Sequence, residues 1–403
     1  MALIVKKFGG SSVATAEKVF NVARIIIEDY KAGNDVVVVV SAQGDTTDDL
    51  IAKAKEINPA SPSKREMDML LSAGEQISIS LLAMAIEKLG CPAISLLGWQ
   101  AGFNTDSKHT LSRIKKINSE RIRDEIDKRN IVIVAGFQGI NKYDDITTLG
   151  RGGSDTSAVA IAASMHADLC QIYTDVDGVY TADPRKVKTA KKMAEITYDE
   201  MLELATLGAQ VLNNRSVEMA KKYNVELEVR SSIQSNVRGT IVKEAVSMEK
   251  MLVKGVACDK DIVLFSIIGL KDTPGVAFKV FNQLSHKHVN VDIILQSVGR
   301  DGTKDITFTV PTTQKTEVIT AIDEIRPILD FSDYVINENT CKLSIVGAGM
   351  ETHPGVASKM FEALADANIN IHMIATSEIK ISVIIDAENC EKGLQSVHDK
   401  FID

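Results

Sequence analysis

The first 240 residues alternate short apolar runs with longer segments of helical periodicity. The short runs are rich in valine and isoleucine and do not alternate with polar residues, which is typical of strands buried on both faces of a sheet. The longer segments repeat apolar residues every three to four positions, which predicts amphipathic helices. The predicted strands are Leu3–Phe8, 36–40, 131–134 and 171–174, and the predicted helices are 13–30, 67–89 and 156–165. This alternation predicts a mostly parallel sheet with helices on both faces.

The second half of the chain contains an internal repeat. The sequence PGVAFKVF at 274–281 returns as PGVASKMF at 354–361, an offset of 80 positions. Each copy predicts a strand, a Pro-Gly turn, a helix, an asparagine-containing turn and a further strand, with the proline near the first helical turn where its missing N–H costs nothing. The same offset relates Leu284 to Leu364, Asn290 to Asn370, Val291 to Ile371 and Ser297 to Ser377. Segment 231–246 is the predicted boundary between the two halves.

Composition narrows the class of protein. A chain of 403 residues, 45% of them hydrophobic, predicts a globular protein of two or three domains. The net charge of −8 argues against a nucleic-acid partner, since such binding needs clustered cations. The five scattered cysteines predict reduced thiols rather than a disulfide framework or a zinc site. The N-terminus is too polar for a signal peptide, and no apolar run approaches the roughly 20 residues of a membrane span. We therefore expect a cytoplasmic protein with no membrane partner.

Glycine and polar residues follow each predicted strand of the first half. Gly9-Gly10-Ser11-Ser12 follows the first strand, 41–47 follows the second, 136–139 the third and 175–178 the fourth. Open α/β sheets bind ligands outside the carboxyl ends of their strands. These four loops therefore predict a single crevice.

Two loops have the composition of a phosphate site. Gly9-Gly10-Ser11, beside Lys7, and 150–156, which contains Arg151, would each present backbone N–H groups at a helix N-terminus. The alternative is a pair of helix caps with glycine turns, and the two cations favour phosphate. The P-loop pattern is absent, the dinucleotide pattern fails at Asp155, and the protein-kinase signatures are missing. A nucleotide site here must be of another design.

Four segments resemble the motifs of aspartate kinases in order and spacing: KFGGSS at 7–12, SAGE at 72–75, GRGGSDTS at 150–157 and TDVDGVYTADPR at 174–185. The repeats resemble the paired ACT domains of monofunctional, feedback-regulated members. The resemblance implies an α/β amino-acid-kinase-like sandwich with a mostly parallel sheet, followed by two βαββ (ACT-like, ferredoxin-like) modules. The implied domains are a catalytic domain at 1–240, a first module at 262–337 and a second module at 251–260 and 340–403.

The resemblance further implies ATP-dependent phosphorylation of the side-chain carboxylate of L-aspartate, with Mg²⁺ accompanying ATP and no metal ligand directly assigned. This reaction would start the route to lysine, threonine and methionine, with feedback by lysine and/or threonine at the modules. Aspartate is already ionised at neutral pH, which accounts for the absence of a general base. Pairing of modules between subunits implies a homo-oligomer, a dimer or higher.

Site residues carried over from the family fall into three groups. Lys7 and Asp155 are the expected catalytic residues. The expected nucleotide-binding residues are Lys7, Phe8, Gly9, Gly10, Ser11, Ser154, Thr174, Asp175, Tyr180 and Arg185. The expected aspartate-binding residues are Ser41, Thr47, Glu75, Arg151, Gly152, Gly153 and Ser154. Arg151 would bind the substrate α-carboxylate as a fork and Glu75 the α-ammonium, whereas the alternative for Glu75 is a solvated helix-face carboxylate.

The expected effector-binding residues lie at the turns of the two repeats: Asp272, Gly275, Ala277, Asp292 and Gln296 in the first, and His353, Val356, Asn370, Ile371 and Ser377 in the second. Asp272 and Asp292 would bind an effector ammonium. The alternative is that these positions are only turn and core residues. The His286-x-His288 pair lacks a third ligand and favours a polar helix end over a metal site.

Two departures from the family pattern and two rival functions stay open. Ser11 replaces the usual threonine, and Asn213 stands where many members have histidine, so its contacts are unassigned. A related acyl-phosphate-forming kinase of the same fold would act on another substrate. A non-catalytic amino-acid sensor would keep the fold without the chemistry.

Overall fold

The computed structural model describes residues 1–207, 211–245, 252–297, 302–348, 350 and 353–402. They form two compact units: Met1–Tyr180 with Lys192–Glu249, and Thr181–Lys191 with Lys250–Asp403. The structure differs from the predicted catalytic domain at 1–240 in two respects. Thr181–Lys191 belongs to the second unit, and the first unit continues past residue 240 through its strand Thr240–Lys243. Met251 and Asp403, at the ends of the predicted second-module segments, lie outside the described residues.

The first unit is built on an eight-stranded sheet of order β10-β12-β11-β9-β1-β2-β6-β3, with a smaller sheet of order β5-β4-β7-β8. Its strands are β1 (Leu3–Phe8), β2 (Asp35–Val40), β3 (Ala93–Leu96), β4 (Phe103–Thr105), β5 (Ile114–Ile117), β6 (Ile131–Ala135), β7 (Gln138–Ile140), β8 (Ile146–Thr148), β9 (Leu169–Thr174), β10 (Glu195–Thr197), β11 (Leu227–Ser231) and β12 (Thr240–Lys243). Its helices are α1 (Ala16–Lys31), α2 (Thr46–Ile57), α3 (Lys64–Lys88), α4 (Glu120–Asp127), α5 (Gly153–Met165), α6 (Tyr198–Thr206) and α7 (Asn214–Tyr223).

The central strands explain the apolar runs of the sequence. β1 pairs in parallel with β2 and β9, and β2 pairs in parallel with β6. Val36, Val38 and Val40 pack with α1 and α3 in one core cluster, so the alternate valines of β2 face the other side, where α5 lies. The predicted α/β class with a mostly parallel sheet covered on both faces is confirmed.

Helix α3 is long and apolar enough, by length and composition alone, to cross a membrane. Its most apolar 18-residue window has a mean hydropathy of 1.6, and 56% of that window is buried. This window includes the charged Glu75, so it is not an unbroken apolar run, and a buried core helix passes the same test. Ile79, Leu82 and Ile86 lie in the core shared with α1, so this face of α3 is part of the sheet's covering layer.

The second unit contains two four-stranded sheets of order β15-β16-β14-β17 and β13-β18-β20-β19. Its strands are β13 (Gly255–Asp259), β14 (Val263–Lys271), β15 (Ile294–Gln296), β16 (Thr303–Val310), β17 (Asp333–Asn337), β18 (Thr340–Val346), β19 (Met373–Thr376) and β20 (Lys380–Asp386), and its helices are α8 (Val276–His286), α9 (Lys315–Ile325), α10 (Val356–Asp366) and α11 (Cys390–Phe401). The strand that precedes the first module, β13, pairs antiparallel with β18 of the second.

The repeat is visible in three dimensions. Helices α8 and α10 start at equivalent positions, each after a glycine N-cap in the left-handed region, Gly275 at φ 91° and Gly355 at φ 94°. Their buried residues also correspond: Val276, Val280 and Leu284 match Val356, Met360 and Leu364. Each copy continues beyond the predicted βαββ unit with a second helix, α9 or α11, so each module covers its sheet with two helices.

The cysteines differ from the expectation. Cys258 and Cys390 form a disulfide, whereas Cys91, Cys170 and Cys341 are free and buried. The prediction of reduced thiols throughout is therefore wrong for this pair. The two residues are separated by 132 positions, and only the insertion of β13 into the second module brings them together.

Candidate active and effector sites

The carboxyl ends of four strands meet at one edge of the large sheet. β9, β1, β2 and β6 are neighbours and all parallel, and their ends are in register, with Phe8 opposite both Val40 and Tyr173. The loops that follow these strands therefore lie side by side, as the sequence predicts. This edge is the candidate active site.

Lys7 and Asp155 form an ion pair at this edge. The Nζ atom of Lys7 lies 2.6 Å from Oδ1 of Asp155, and the two side chains are only 13% and 11% exposed. Asp155 is in the first turn of α5, where the helix dipole stabilises a carboxylate. The structure thus brings the two expected catalytic residues together in a site that is largely screened from water.

The adjacent Lys6 points to the opposite face of β1. It is 1% exposed, donates to Oε1 of Gln171 at 2.8 Å and pairs with Asp29 of α1. This alternation follows from the pleat of the strand. Lys6 is therefore a satisfied core lysine, and Lys7 is the one that reaches the crevice.

The glycines after β1 bring two loops into contact. A Cβ atom on Gly10 would lie 2.4 Å from the carbonyl oxygen of Ala42, and the amide of Gly44 donates to the carbonyl of Gly10 at 3.0 Å. The expectation that this loop opens a helix is wrong: Gly10–Ser12 forms a separate 3-10 turn, and α1 begins later, after its Thr15 cap. The Gly9-Gly10-Ser11 loop therefore offers backbone groups without the dipole of α1.

The second glycine loop does open a helix. Gly152 is the N-cap of α5 in the left-handed conformation at φ 73°, and Gly153 is the first helical residue. The side chain of Arg151 is exposed and forms no ion pair with any residue in the described part of the chain. Its guanidinium is therefore available to an anionic ligand beside a helix N-terminus.

Asn213 holds this loop in place. Its Nδ2 donates to the carbonyl oxygen of Arg151 at 3.2 Å, and its Oδ1 caps α7 by accepting from the amide of Arg215 at 3.0 Å. A Cβ atom on Gly152 would lie 2.2 Å from Nδ2 of Asn213, so this approach requires glycine. Arg215 adds bonds to the carbonyl oxygens of Leu149 and Ser112, at 2.9 and 2.8 Å. The residue that departs from the family pattern thus supports the loop that carries Arg151. Gly208, Ala209 and Gln210, shortly before Asn213 in the chain, lie outside the described residues.

Glu75 of α3 is buried next to the loop after β2. It is 3% exposed, and its Oε1 accepts from the amide of Ala42 at 3.0 Å. Its Oε2 is buried without a hydrogen-bond partner among the described residues. Burial raises the pKa of Glu75 to about 7, against the smaller lowering effect of the Ala42 bond. The solvated helix-face alternative is wrong, and the unpartnered oxygen favours a cationic ligand.

The expected hydroxyl-bearing substrate residues Ser41, Thr47 and Ser154 lie near the same edge. Ser154 is buried against Gly136, where a Cβ atom would lie 2.7 Å from its Oγ. Ser41 and Thr47 are partly buried at the loop after β2 and the start of α2. Phe8, an expected nucleotide-binding residue, is fully buried, and its ring stacks on Tyr173 of β9 with centroids 4.5 Å apart. Only its backbone is therefore available to a nucleotide.

The nucleotide segment at 174–185 is divided between the two units. Thr174 donates to Oδ1 of Asp175 at 3.0 Å, and the Tyr180 hydroxyl donates to Oδ1 of Asp177 at 2.8 Å, all in the first unit. Arg185 belongs to the second unit, where its guanidinium pairs with Asp183. Thr174 and Tyr180 therefore lie in the unit that contains the candidate active site, whereas Arg185 lies in the second unit.

Asp68 is a buried carboxylate that sequence reasoning missed. It is fully buried at the start of α3 and accepts from the amide of Thr110, from Thr148 and from His109. These bonds tie the 106–112 loop to β8, directly before the Arg151 loop. In the sequence, Asp68 reads as one polar residue near a helix start, and only its pairing with residues some 40 and 80 positions away shows its role.

In the first module, two expected effector residues already have partners. Asp272 pairs with Lys304, and Asp292 pairs with Lys342 of β18, both at 2.5 Å. The Lys342 side chain is only 4% exposed and lies 3.9 Å from Asp259 as well. An effector ammonium at Asp292 would therefore compete with a buried lysine of the second module.

The remaining effector positions fall into exposed and core groups. Val356 lies in the core of the second module, so only its backbone remains available to a ligand. Gly275 has open space where a Cβ atom would stand. Ala277 and Ile371 are partly buried against their module cores, whereas Gln296, His353, Asn370 and Ser377 are exposed.

Comparison with known proteins agrees with this architecture. Residues 2–231 match the amino acid kinase family, and residues 265–325 and 343–401 match the ACT domain. An aspartokinase of Geobacillus stearothermophilus is 50% identical over 402 residues, covering 100% of this chain and 97% of the relative. One of Corynebacterium efficiens is 49% identical over 407 residues, covering 100% and 96%. The structure of E. coli aspartokinase III in complex with lysine and aspartate (T-state) matches with a TM-score of 0.79 and 25% identity, covering 100% of both chains.

The fold and the Lys7–Asp155 crevice thus define an enzyme of the amino acid kinase class that carries two ACT domains. Its full-length similarity to curated relatives is more specific than this class. The chain belongs to the aspartokinase family.

Proposed function

We propose that the chain transfers the γ-phosphoryl group of ATP to the side-chain carboxylate of L-aspartate, giving 4-phospho-L-aspartate and ADP. The observation that carries this proposal is the buried Glu75 oxygen without a partner, at the loop after β2 on the sheet edge where the Lys7–Asp155 pair also lies. The Arg151 loop opens α5, the helix that carries Asp155. A carboxylate and a guanidinium together fit the α-ammonium and α-carboxylate of an amino acid. The E. coli relative in complex with aspartate supports the same substrate.

The residues of the crevice divide the chemistry among them. A carboxylate oxygen of aspartate attacks the γ-phosphorus, and the bond to the bridging oxygen of ADP breaks. Lys7 neutralises charge that develops on the transferred group, and the glycine loops add N–H donors. Asp155 orients Lys7, while Ser41, Thr47 and Ser154 place hydroxyls around the substrate. Thr174, Asp175 and Tyr180 bind the nucleotide at the end of β9.

Magnesium would accompany ATP. The ion supplies neutralisation of phosphate charge when it is bound. Asp155 would help to hold the ion, since carboxylate oxygens are preferred ligands of Mg²⁺. Its carboxylate lies in the first turn of α5 within the crevice.

Trapping of the product with hydroxylamine tests the reaction. Aspartate with Mg-ATP should give the hydroxamate, whereas glutamate at the same concentration should give little. Equal or better turnover of glutamate would replace aspartate as the substrate, and absence of any hydroxamate would favour the sensor function.

We further propose that lysine, alone or with threonine, inhibits the enzyme at the ACT domains. The E. coli relative in complex with lysine supports lysine. The route to lysine, threonine and methionine, the cytoplasmic location and the homo-oligomeric state stay predictions. Assaying hydroxamate formation with each amino acid and with both identifies the effector, and indifference to all three conditions would contradict feedback.

Glu75→Gln should change the pH dependence of both activity and stability. Because burial raises the pKa of Glu75 to about 7, the substrate-binding carboxylate is lost as pH falls through 7, so kcat/KM for aspartate should fall there in the parent enzyme. The variant should have a KM for aspartate about 10–100-fold higher, as expected for one lost charged hydrogen bond.

The stability of the same variant is an independent readout. The folded protein holds the Glu75 proton more tightly than the unfolded chain, so this group's contribution to the free energy of unfolding is greatest at low pH and falls as pH rises to about 7. Glu75→Gln should therefore gain Tm relative to the parent at pH 8 but not at pH 4.5. A gain at both pH values would mean that Glu75 is not protonated in the fold.

Asn213→Asp should separate helix capping from loop support. Aspartate caps a helix as well as asparagine, but it cannot donate to the Arg151 carbonyl. We expect a Tm close to that of the parent and a several-fold rise in KM for aspartate, with kcat for the saturated enzyme less affected. An unchanged KM would show that the Arg151 loop does not depend on this bond. Asn214→Asp, at the next position, is the matched control.

A further inference from the structure

Three cysteines that the proposed reaction does not use meet inside the second module. Their sulfur atoms all lie within 4.8 Å of one another. Cys258 comes from β13, Cys341 from β18 and Cys390 from the first residue of α11. Cys341 and Cys390 are fully buried, and Cys258 is partly exposed. Three chain segments from distant parts of the sequence thus converge on one thiol cluster with a single accessible member.

The backbone geometry suits a covalent bond between two of them. The Cα atoms of Cys258 and Cys390 are 6.4 Å apart and the two residues are joined as a disulfide, and this separation is within the usual range for such a bond. Helix α11 packs on both β13 and β18, so the pair lies at the contact between the inserted strand and this helix. A bond here joins two elements that are already in place.

A thiophilic metal ion is the other occupant that such a cluster could take, and the surroundings disfavour it. Metal ligation requires thiolates, whereas burial raises the pKa of Cys341 to about 11. The Cys341 thiol donates to the carbonyl oxygen of Asp386 at 3.7 Å, which favours the neutral S–H. Among the residues that the structure describes, no histidine or carboxylate joins the cluster within the same distance. Cys341 is therefore a bystander, and the cluster is a two-cysteine site.

We propose that Cys258 and Cys390 form a reversible thiol–disulfide site that exchanges with a low-molecular-weight disulfide such as glutathione disulfide. The Cys258 thiolate attacks one sulfur of the small disulfide, and a small thiolate leaves. The Cys390 thiolate then attacks the Cys258 sulfur of this mixed disulfide, and a second small thiolate leaves. The two cysteines lose two electrons and two protons, and the small disulfide becomes two thiols. The exposed fraction of Cys258 admits the reagent. The Cys390 sulfur lies within 4.8 Å of the Cys258 sulfur, so it is in place to resolve the mixed disulfide.

The bond would stabilise the second module, which contains five of the expected effector positions. β13 is joined to α11 across 132 positions of sequence, and the loop thus closed contains the whole first module. The oxidised protein therefore has fewer accessible unfolded conformations. We expect a higher Tm and slower proteolysis of the second unit in the oxidised form.

The full-length protein is equilibrated in glutathione buffers of graded oxidised-to-reduced ratio, then alkylated and analysed as peptides by mass spectrometry. A Cys258–Cys390 peptide should accumulate with the ratio and disappear when reduced glutathione is restored. Cys258→Ser should abolish it together with the Tm shift, whereas Cys341→Ala and the matched control Cys91→Ala should keep both. Since Cys258 is partly exposed, its serine variant should fold, and its reduced-state Tm checks this.

Three results would overturn the proposal. The first is no linked peptide in the native protein at any ratio. The second is linkage to Cys341 as often as between Cys258 and Cys390. The third is stoichiometric binding of Co²⁺ by the reduced protein with a thiolate charge-transfer band that Cys341→Ala removes, because this would make the cluster a metal site.

Discussion

The Lys7→Ala variant is expected to lose about 10³-fold in kcat for aspartyl phosphate formation while remaining folded. The loss follows from the geometry, because the Lys7 ammonium lies at the strand ends, 2.6 Å from Asp155 and only 13% exposed. In so screened a site, one preorganised donor to the developing charge contributes on the order of 10²–10³ in rate, and Lys7 also carries a full positive charge. Hydroxylamine trapping under saturating aspartate and Mg-ATP measures kcat.

The fold should survive because Asp155 keeps other support. Its carboxylate is in the first turn of α5, where the helix dipole stabilises negative charge. Asp155→Asn in the Lys7→Ala background removes the unpaired charge and should restore any lost Tm without restoring activity. The exposed Lys31→Ala, in the last turn of α1, is the matched control and should keep full activity. A Lys7→Ala enzyme with parental kcat would remove Lys7 from the mechanism.

The sequence predicted the large sheet well because its signals are local. β2 and β6 are apolar at every buried position, and a strand buried on both faces has no polar alternation to confuse the pattern. The repeat was equally clear, since the offset that relates Val276 to Val356 also relates the starts of α8 and α10. Strand, helix and repeat assignments of this kind depend on neighbours in sequence.

The site was predicted less completely because its residues depend on neighbours in space. Lys6 and Lys7 are adjacent and chemically alike. Lys6 forms an ion pair with Asp29 in the core, whereas Lys7 reaches the crevice. Burial of Glu75 follows from the packing of α3 against the Ala42 loop, 33 positions away. Asn213 reaches back 62 positions to Arg151. No pattern along the chain records these distances.

Loop geometry shows a further limit of the sequence. Gly9 and Gly10 have the composition of a loop that opens a helix, but the close approach of Gly10 to Ala42 bends the chain into a separate 3-10 turn before α1. Gly152 and Gly153, of similar composition, do open α5. The difference comes from the facing loop after β2, which composition cannot report.

The pair of Asp292 and Lys342 should decide how lysine is sensed. Lys342 is a buried cation that depends on Asp292 at 2.5 Å, with Asp259 farther away at 3.9 Å. Asp292→Asn alone leaves this cation poorly compensated and should cost about 2 kcal/mol in the free energy of unfolding. A weaker lysine response in that variant would therefore mix lost binding with lost stability.

Replacing both partners removes this ambiguity. In Lys342→Met, Asp292 loses its internal competitor but stays partly solvated, so we expect a lower lysine concentration for half-inhibition than in the parent enzyme. In Asp292→Asn with Lys342→Met, no buried cation is left unpaired, and stability should return toward the parent value while inhibition by lysine weakens at least about 10-fold, as expected for a lost charged hydrogen bond. Titrations of hydroxamate formation against lysine measure both effects. If the double variant responds to lysine as the parent does, Asp292 only joins the two modules, and other residues must bind the effector ammonium. Asp272 of the same module is then the next candidate, because it too contacts a lysine, Lys304.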